Sequence, residues 1–178
     1  NTYKPYPVGV VLNPVVDACL CLRAEGVTAA TRATLWGHPL LRQRTDRPEV
    51  ATGRESQVSA QHAIAVVLAT GRADPAAFAD AAVAETLGRR PALTFVDEPG
   101  RDIASVEIEV EAADGARHRA AVSAARGSPD NPLSDAEIAD KLRAQARAFP
   151  GDVEALIDAV WTLDVAPDAA VVPRLAAC

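Results

Sequence analysis

The alternation of apolar and polar positions predicts four β-strands. The clearest strand covers residues 104–112 ("ASVEIEVEA"), in which valine or isoleucine alternates with glutamate. Asp114-Gly115 is a hairpin signal, so residues 118–125 are predicted to return as the partner strand. Two shorter strands are predicted over residues 29–37 and 92–97. We therefore expect a mainly antiparallel sheet with one packed face and one solvated face.

Helices are predicted between these strands from capping residues and apolar runs. Asn13 suits an N-cap and Pro14 suits a first helical turn, which predicts a helix over residues 14–24. The same signals predict two more helices, over residues 56–69 and 74–87, and polar residues predict a loop over 42–54. The predicted class is α+β, with helices packed against the sheet.

The pattern changes at "GSPDNPLSD", residues 127–135. Glycine and proline there interrupt both the alternation typical of strands and the apolar spacing typical of helices. Ser134 and Glu137 have the spacing of a capping box, which predicts the start of a new helix. Two helices are expected here, reaching about residue 148 and then covering 152–163. We predict an α+β domain over residues 1–126, followed by a C-terminal helical segment over 127–178.

Composition narrows the possible partners and compartment. The 178 residues carry a formal charge of −6, which argues against nonspecific nucleic-acid binding. No run of about 18 apolar residues predicts a membrane span, and no secretory signal pattern is visible. Three cysteines do not form a disulfide framework. We therefore expect a cytoplasmic protein that contacts neither membrane nor nucleic acid.

Metal and cofactor motifs are not recognisable in the sequence. The three histidines fall in different predicted elements and share no ligand spacing, so no metal site is predicted. No glycine-rich phosphate loop or redox motif occurs, so no cofactor is predicted. His62 lies among alanines and valines on a predicted helix, where a hydrogen-bonded core histidine is more common than a catalytic base.

Four blocks in order carry a more specific signal: "KPYPVGVVLNPVVDACL" (4–20), "GHPLL" (37–41), "TGRESQVSAQHAIAVVLATG" (52–71) and "GSPDNPLSDAEIADKLRAQA" (127–146). The first resembles K-P-Y-P-C-G-V-V-x-H-P-x-I-D-A, and the last is similar to G-x-P-x-N-P-L-S-D-x-E-x-x-x-K-F-R-x-L-A. Both patterns are typical of the MmgE/PrpD family, which includes methylcitrate dehydratase, cis-aconitate decarboxylase and iminodisuccinate epimerase. The four blocks occur in the family's order and extend from residue 4 to residue 146.

The resemblance implies a specific architecture. Family members place a large helical domain before a smaller α+β domain, and the chain then returns to the helical domain. This sequence resembles the small domain plus the C-terminal helices. The active site of the family lies in the cleft between the domains. We therefore expect a separate helical polypeptide or a second copy of the chain to complete the site.

The resemblance also implies a reaction and its residues. Family chemistry is proton abstraction next to a carboxylate, followed by loss of water or carbon dioxide or by reprotonation, so a small carboxylate is the expected substrate. The catalytic residues that the match implies are Lys4 and His62. The substrate-contacting residues that it implies are Lys4, Tyr6, Asn13, Gln57 and Gln61.

Two other functions stay open because Val8, Asn13 and Gln57 stand where many members have Cys, His and Lys. Asn cannot act as a base near neutral pH, and Gln carries no charge. A stand-alone domain that binds a small ligand, or shapes a biosynthetic intermediate without this acid/base chemistry, is one alternative. A regulatory remnant without a site is the other.

Overall fold

The computed structural model describes residues 3–177. They divide into two compact units, one ending at Pro132 and the other beginning at Leu133. The strands are β1 (Arg32–Gly37), β2 (Ala92–Asp97), β3 (Val106–Glu111) and β4 (Arg117–Val122), and the helices of the first unit are α1 (Asn13–Ala24), α2 (Pro39–Thr45), α3 (Gly53–Ser56), α4 (Ala60–Thr70) and α5 (Asp80–Thr86). The second unit contains α6 (Asp135–Gln145), α7 (Val153–Trp161) and α8 (Val171–Ala176).

The four strands form one sheet in the order β2-β1-β3-β4. Strand β1 runs parallel to β2 and antiparallel to β3, and β3 runs antiparallel to β4. The predicted α+β class with a mainly antiparallel sheet is confirmed. The hairpin joins β3 to β4 at the predicted turn, where Gly115 has a φ of 83°.

The two faces of the sheet differ as the alternating pattern of β3 predicts. Its valines and isoleucine are fully buried, and α1 packs against β3 and β4. On the other face Glu109 forms salt bridges with Arg117 and Arg119, and the Arg119 guanidinium lies over the ring of Trp36. Exposed pairs of this kind contribute about 1 kcal/mol or less, so the packed face supplies most of the stability of the sheet.

The core of the first unit lies between the sheet, α1 and α4. Helix α4 is buried at every position from Ala60 to Leu68, which includes Gln61 and His62. The helix starts at the Ser59 N-cap and ends at Gly71, whose φ of 69° is the left-handed conformation that glycine adopts readily. Aliphatic side chains dominate this core, because the chain has few aromatic residues.

Three helix boundaries differ from the sequence prediction. The predicted loop over residues 42–54 overlaps the end of α2 and the start of α3, so that prediction is wrong in part. Helix α2 forms because the His38 side chain caps it, accepting the Leu40 N–H, and Pro39 occupies its first turn. Helix α3 forms because Thr52 and Glu55 make a reciprocal capping box.

The predicted helix over 56–69 begins later, at Ala60, because residues 53–56 belong to α3. The predicted helix over 74–87 is broken. Asp74 caps a 3₁₀ helix over Pro75–Phe78, and Ala79 then turns extended before α5. Short-range propensity could not show this break, because Ala79 itself favours helix.

The second unit confirms the predicted capping box, in which Ser134 and Glu137 cap α6. Arg143 on α6 forms salt bridges with Asp140 and with Glu154 on α7. Several large apolar side chains at and after the end of α7 are exposed: Val160, Trp161, Leu163 and Val165. Within residues 3–177 no helix combines the length and the apolar character that crossing a membrane requires.

Candidate functional site

A cavity of about 260 Å³ lies where the N-terminal segment, the start of α1 and the loop after β4 meet. Its walls come from three stretches of chain: Tyr3, Val10 and Asn13; Asp102, Ile103 and Ala104; and Ala125 to Pro129. Most of these side chains are apolar. The volume is near the lower end of small-molecule sites, so the cavity suits a small ligand.

Close backbone contact between Tyr3 and Gly127 shapes one wall of the cavity. The Tyr3 N–H donates to the Gly127 carbonyl at 2.9 Å. Gly127 has a φ of +84°, and a Cβ at this position would lie 2.1 Å from the Tyr3 carbonyl oxygen. Glycine is required here for both its left-handed conformation and the space that its missing side chain leaves.

Asp17 on α1 ties the N-terminal segment to the loop after β4. One carboxylate oxygen accepts the Tyr6 hydroxyl at 2.5 Å, and the other accepts the Arg126 N–H at 2.7 Å. Burial raises the pKa of the Tyr6 hydroxyl, and the hydrogen bond to Asp17 raises it further, whereas the nearby Arg126 side chain lowers it. Tyr6 is therefore a neutral hydrogen-bond donor at physiological pH.

Two buried polar atoms beside the cavity have no hydrogen-bond partner among residues 3–177. They are Oδ1 of Asn13, a residue that is 4% exposed, and Oγ of Ser128, a residue that is 6% exposed. Leaving a buried polar atom unsatisfied costs about 1–3 kcal/mol, so such atoms are uncommon in folded proteins. Both residues line the cavity.

The sequence prediction that Asn13 caps the first helix is wrong. Leu12 occupies the N-cap position and no side chain caps the helix. A 3₁₀ turn over Val10–Leu12 precedes α1, and Asn13 already has helical angles, with φ −52° and ψ −49°. A capping side chain requires extended backbone at its own residue, which this turn removes. The Asn13 amide is thereby left beside the cavity.

Lys4 and Gln57 lie nearer the surface. Lys4 is exposed and directly follows Tyr3, which lines the cavity. Gln57 is half-buried, and its carbonyl accepts the Gly9 N–H at 2.8 Å, so it contacts the same N-terminal segment. The predicted substrate contacts of both residues stay predictions.

His62 lies in the core with both ring nitrogens engaged, and it is 0% exposed. Its Nε2 donates to the Ala77 carbonyl at 2.9 Å, and its Nδ1 then accepts the Thr86 hydroxyl at 3.1 Å. Burial lowers the pKa of His62, and the positive charge of Arg90 lowers it further, against the opposite effect of the Ala77 carbonyl. The ring is therefore neutral. The predicted catalytic role of His62 stays a prediction.

Gln61 is also engaged within the protein. Its amide nitrogen donates to Asp46 at 2.7 Å, and its amide oxygen accepts the Arg47 N–H at 3.2 Å. These bonds hold the chain after α2 against the start of α4. Both polar atoms of the Gln61 amide are thus hydrogen-bonded within the protein. Its predicted role in substrate binding stays a prediction.

Asn13 lines the cavity and Tyr6 bonds Asp17 on α1, whereas Gln61 and His62 lie in other hydrogen-bond networks. Sequence reasoning missed three residues of the site, Asp17, Arg126 and Ser128. Two signals were present, because Asp17 ends the "NPVVD" stretch and Ser128 follows the glycine of "GSPDNP".

The arrangement suits binding better than proton transfer. The titratable side chains that line the cavity are Tyr3, Asp102 and Arg126. Asp102 already accepts the Ala104 N–H at 2.7 Å. Arg126 can hold an anion but cannot act as a base, because guanidinium stays protonated. The uncharged donors and acceptors of Asn13 and Ser128 can orient a ligand.

A comparison with protein families finds a match over most of the chain. The model of the MmgE/PrpD C-terminal domain matches residues 6–164, which covers most of the chain. No curated protein sequence matches the chain.

Proposed function

Because the chain belongs to the MmgE/PrpD family, we propose that its cavity is one half of a lyase or isomerase site for a small carboxylate. The reaction begins when a base removes a proton from the carbon next to the carboxylate. An acid then protonates a hydroxyl on the neighbouring carbon, which leaves as water, or it returns a proton to the first carbon. In a decarboxylation the C–C bond to a carboxylate breaks in place of the C–H bond, and the acid protonates the carbanion that carbon dioxide leaves behind. The charge that develops on the substrate needs cations and hydrogen-bond donors around it.

The unsatisfied atoms of Asn13 and Ser128 carry this proposal. Their residues are buried polar groups among mostly apolar walls, which is the kind of lining expected of a small-molecule site. Arg126 lines the same cavity and is the first candidate cation for the substrate carboxylate, and Lys4, which follows the lining residue Tyr3, is the second. Asp17 on α1 accepts the backbone N–H of Arg126 and the hydroxyl of Tyr6, and so holds the loop that carries Arg126.

The base comes from a partner surface in this proposal. A separate helical polypeptide or a second copy of the chain would close over the cavity. Three residues that line the cavity, Tyr3, Val10 and Ile103, are large apolar side chains left exposed. Val58 is also exposed and lies close to Gly9. An exposed apolar group of this kind is suited to burial by another protein.

A second candidate function is a stand-alone binding domain without acid/base chemistry. One observation favours it, namely that both nitrogens of the buried His62 ring are engaged. Two measurements together distinguish the two functions. One is the mass of the protein in solution, and the other is exchange of the α-proton of the carboxylate in D₂O, which NMR detects. An assembly that exchanges the α-proton of a bound carboxylate supports the lyase or isomerase. A monomer that binds a ligand without exchange supports the binding domain.

Calorimetric titration with a panel of small mono-, di- and tricarboxylates tests whether the cavity binds carboxylates. Lys4→Ala is expected to weaken binding about tenfold, which corresponds to about 1.4 kcal/mol. The melting temperature is expected to stay unchanged, because Lys4 is exposed. Lys141→Ala removes the same side chain from α6 and is the matched control. Equal affinities of the two variants, or no binding by any carboxylate, would overturn the proposal.

A further inference from the structure

Strand β2 is one edge of the sheet, and half of its backbone groups face away from the other strands. The Ala92 N–H donates to the Thr31 carbonyl at 3.0 Å, and the Glu98 N–H donates to the Gly37 carbonyl at 2.8 Å. Backbone groups alternate between the two sides of a strand, so the even-numbered positions of β2 bond β1. The outward set consists of Leu93, Phe95 and Asp97. Within residues 3–177 no hydrogen bond reaches these outward groups.

The edge at β2 lacks the features that usually keep an edge strand from pairing, which are charges, prolines within the strand and bulges. The other edge strand, β4, carries two exposed arginines, Arg117 and Arg119. The first five residues of β2 are uncharged, and Val96 among them is 38% exposed. The carboxylate of Asp97, at the end of β2, is already paired with Arg42. The β2 edge can therefore accept another strand.

The spacing along β2 favours a second copy of the same strand. Phe95 is the middle outward position, and Pro91 and Pro99 lie at equal distances in sequence on either side of it. Proline has no N–H, so the row of outward donors ends at these two residues. In an antiparallel pair centred on Phe95, the Pro91 end of each strand meets the Pro99 end of the other. Neither proline then interrupts the bonded pairs between them.

The charges at the two ends of β2 favour the antiparallel orientation. Arg89 and Arg90 precede the strand, whereas Asp97 and Glu98 end it. An antiparallel pair places the basic start of each strand beside the acidic end of the other, and a parallel pair would place like charges together. Both carboxylates already have an arginine partner, and Arg90 donates to backbone carbonyls. The charges therefore set the orientation more than the affinity.

From these observations we propose that two copies of the chain pair antiparallel through β2, about a twofold axis at Phe95. In this register Leu93 of each copy lies opposite Asp97 of the second copy, and Thr94 lies opposite Val96. A pair with this symmetry closes on itself and adds no further copies. The inference does not rest on the proposed function, because no residue of β2 lines the cavity.

Association through one strand is expected to be weak and to depend on concentration. Two six-residue strands bury less than the roughly 1,200 Å² of a stable interface, so we expect a Kd on the order of 100 µM. Sedimentation equilibrium of the full chain from about 10 µM to about 1 mM measures this Kd.

Hydrogen exchange detected by NMR over the same concentrations locates the interface. The amides of Leu93, Phe95 and Asp97 should become protected as the concentration rises, because each gains an acceptor in the second copy. The amides of Thr94 and Val96 should be protected at every concentration, because they bond β1.

Two double variants test the register. Thr94→Lys with Val96→Lys places like charges opposite each other and is expected to weaken association at least about tenfold. Thr94→Lys with Val96→Glu places opposite charges there and is expected to restore association. Both positions are exposed, so the fold should tolerate the two variants equally. Ala121→Lys, at an exposed position of β4, is the matched control and should leave association unchanged.

Each measurement has a result that would overturn the inference. One is a chain that stays monomeric up to about 1 mM. Another is association that leaves the three outward amides unprotected, because the copies would then meet through a different face, such as the mouth of the cavity. Protection that does not change with concentration would mean that the chain covers its own edge. Equally weak association of the two double variants would exclude the register centred on Phe95.

Discussion

The protein is expected to lose stability in mild acid because His62 is buried in its neutral form. An unperturbed histidine titrates near pH 6.5, and burial lowers the pKa of His62 below that value in the folded state. Below about pH 6.5 the unfolded chain therefore binds a proton that the folded protein does not. The contribution of His62 to the free energy of unfolding falls by about 1.4 kcal/mol per pH unit until the folded-state pKa is reached. Above about pH 6.5 this pH dependence disappears, because both states are neutral.

His62→Leu removes this titration and two hydrogen bonds. The Thr86 hydroxyl keeps the Ala82 carbonyl as a partner at 2.8 Å, whereas the Ala77 carbonyl loses its imidazole donor. At about pH 8 the variant should be less stable by about 1–3 kcal/mol. Below about pH 6.5 this difference in the free energy of unfolding should shrink by about 1.4 kcal/mol per pH unit. Only the wild type loses stability as the pH falls, because it keeps the ring unprotonated in the folded state.

Urea unfolding at a series of pH values measures both effects. Trp161→Phe in every protein leaves Trp36 as the tryptophan, so fluorescence reports on the first unit. His118→Gln, a substitution in β4, is the matched control and should keep the wild-type pH dependence. If the stability difference between wild type and His62→Leu does not change between about pH 8 and pH 5, His62 is not a buried neutral histidine and the reasoning is refuted.

Three further substitutions test the shape of the cavity and of the second unit. Gly127→Ala should destabilise the protein by more than about 2 kcal/mol in urea unfolding, because the added Cβ would meet the Tyr3 carbonyl at 2.1 Å; a loss under about 0.5 kcal/mol would contradict that contact. Tyr6→Phe should cost about 1–3 kcal/mol in the same assay, because Asp17 loses its hydroxyl donor, and an unchanged midpoint would refute this. Ser134→Ala, made in a Trp36→Phe background that keeps Trp161 as the reporter, should lower the unfolding free energy of the second unit by about 1 kcal/mol, and a neutral effect would rule out the cap.

The strands follow from local pattern. Alternation in residues 104–112 places every second side chain on one face, so the buried face of β3 could be predicted directly. The capping box at Ser134 is equally local, since its partner is three residues away. The helices at 39–45 and 53–56 escaped prediction because they are short and polar, and their stability comes from caps and packing more than from apolar periodicity.

The site combines a local signal with contacts that no local pattern encodes. Resemblance to the family pointed to Tyr6 and Asn13, and the structure places both at α1. Asp17 bonds the Arg126 N–H across 109 residues of sequence, a contact that exists only after the sheet and α1 pack together. Sequence spacing carries no information about such a pair, because the intervening chain can take many paths before it folds.

The sequence by itself determined the class of the fold, the family and the alternating sheet faces, because these depend on patterns within short segments. Only the tertiary structure decided what each candidate side chain touches. Packing of α4 commits His62 to Ala77 and Thr86, whereas a 3₁₀ turn before α1 frees the Asn13 amide from capping and leaves it at the cavity. The physical reason is that burial and hydrogen-bond partners depend on segments far apart in the chain.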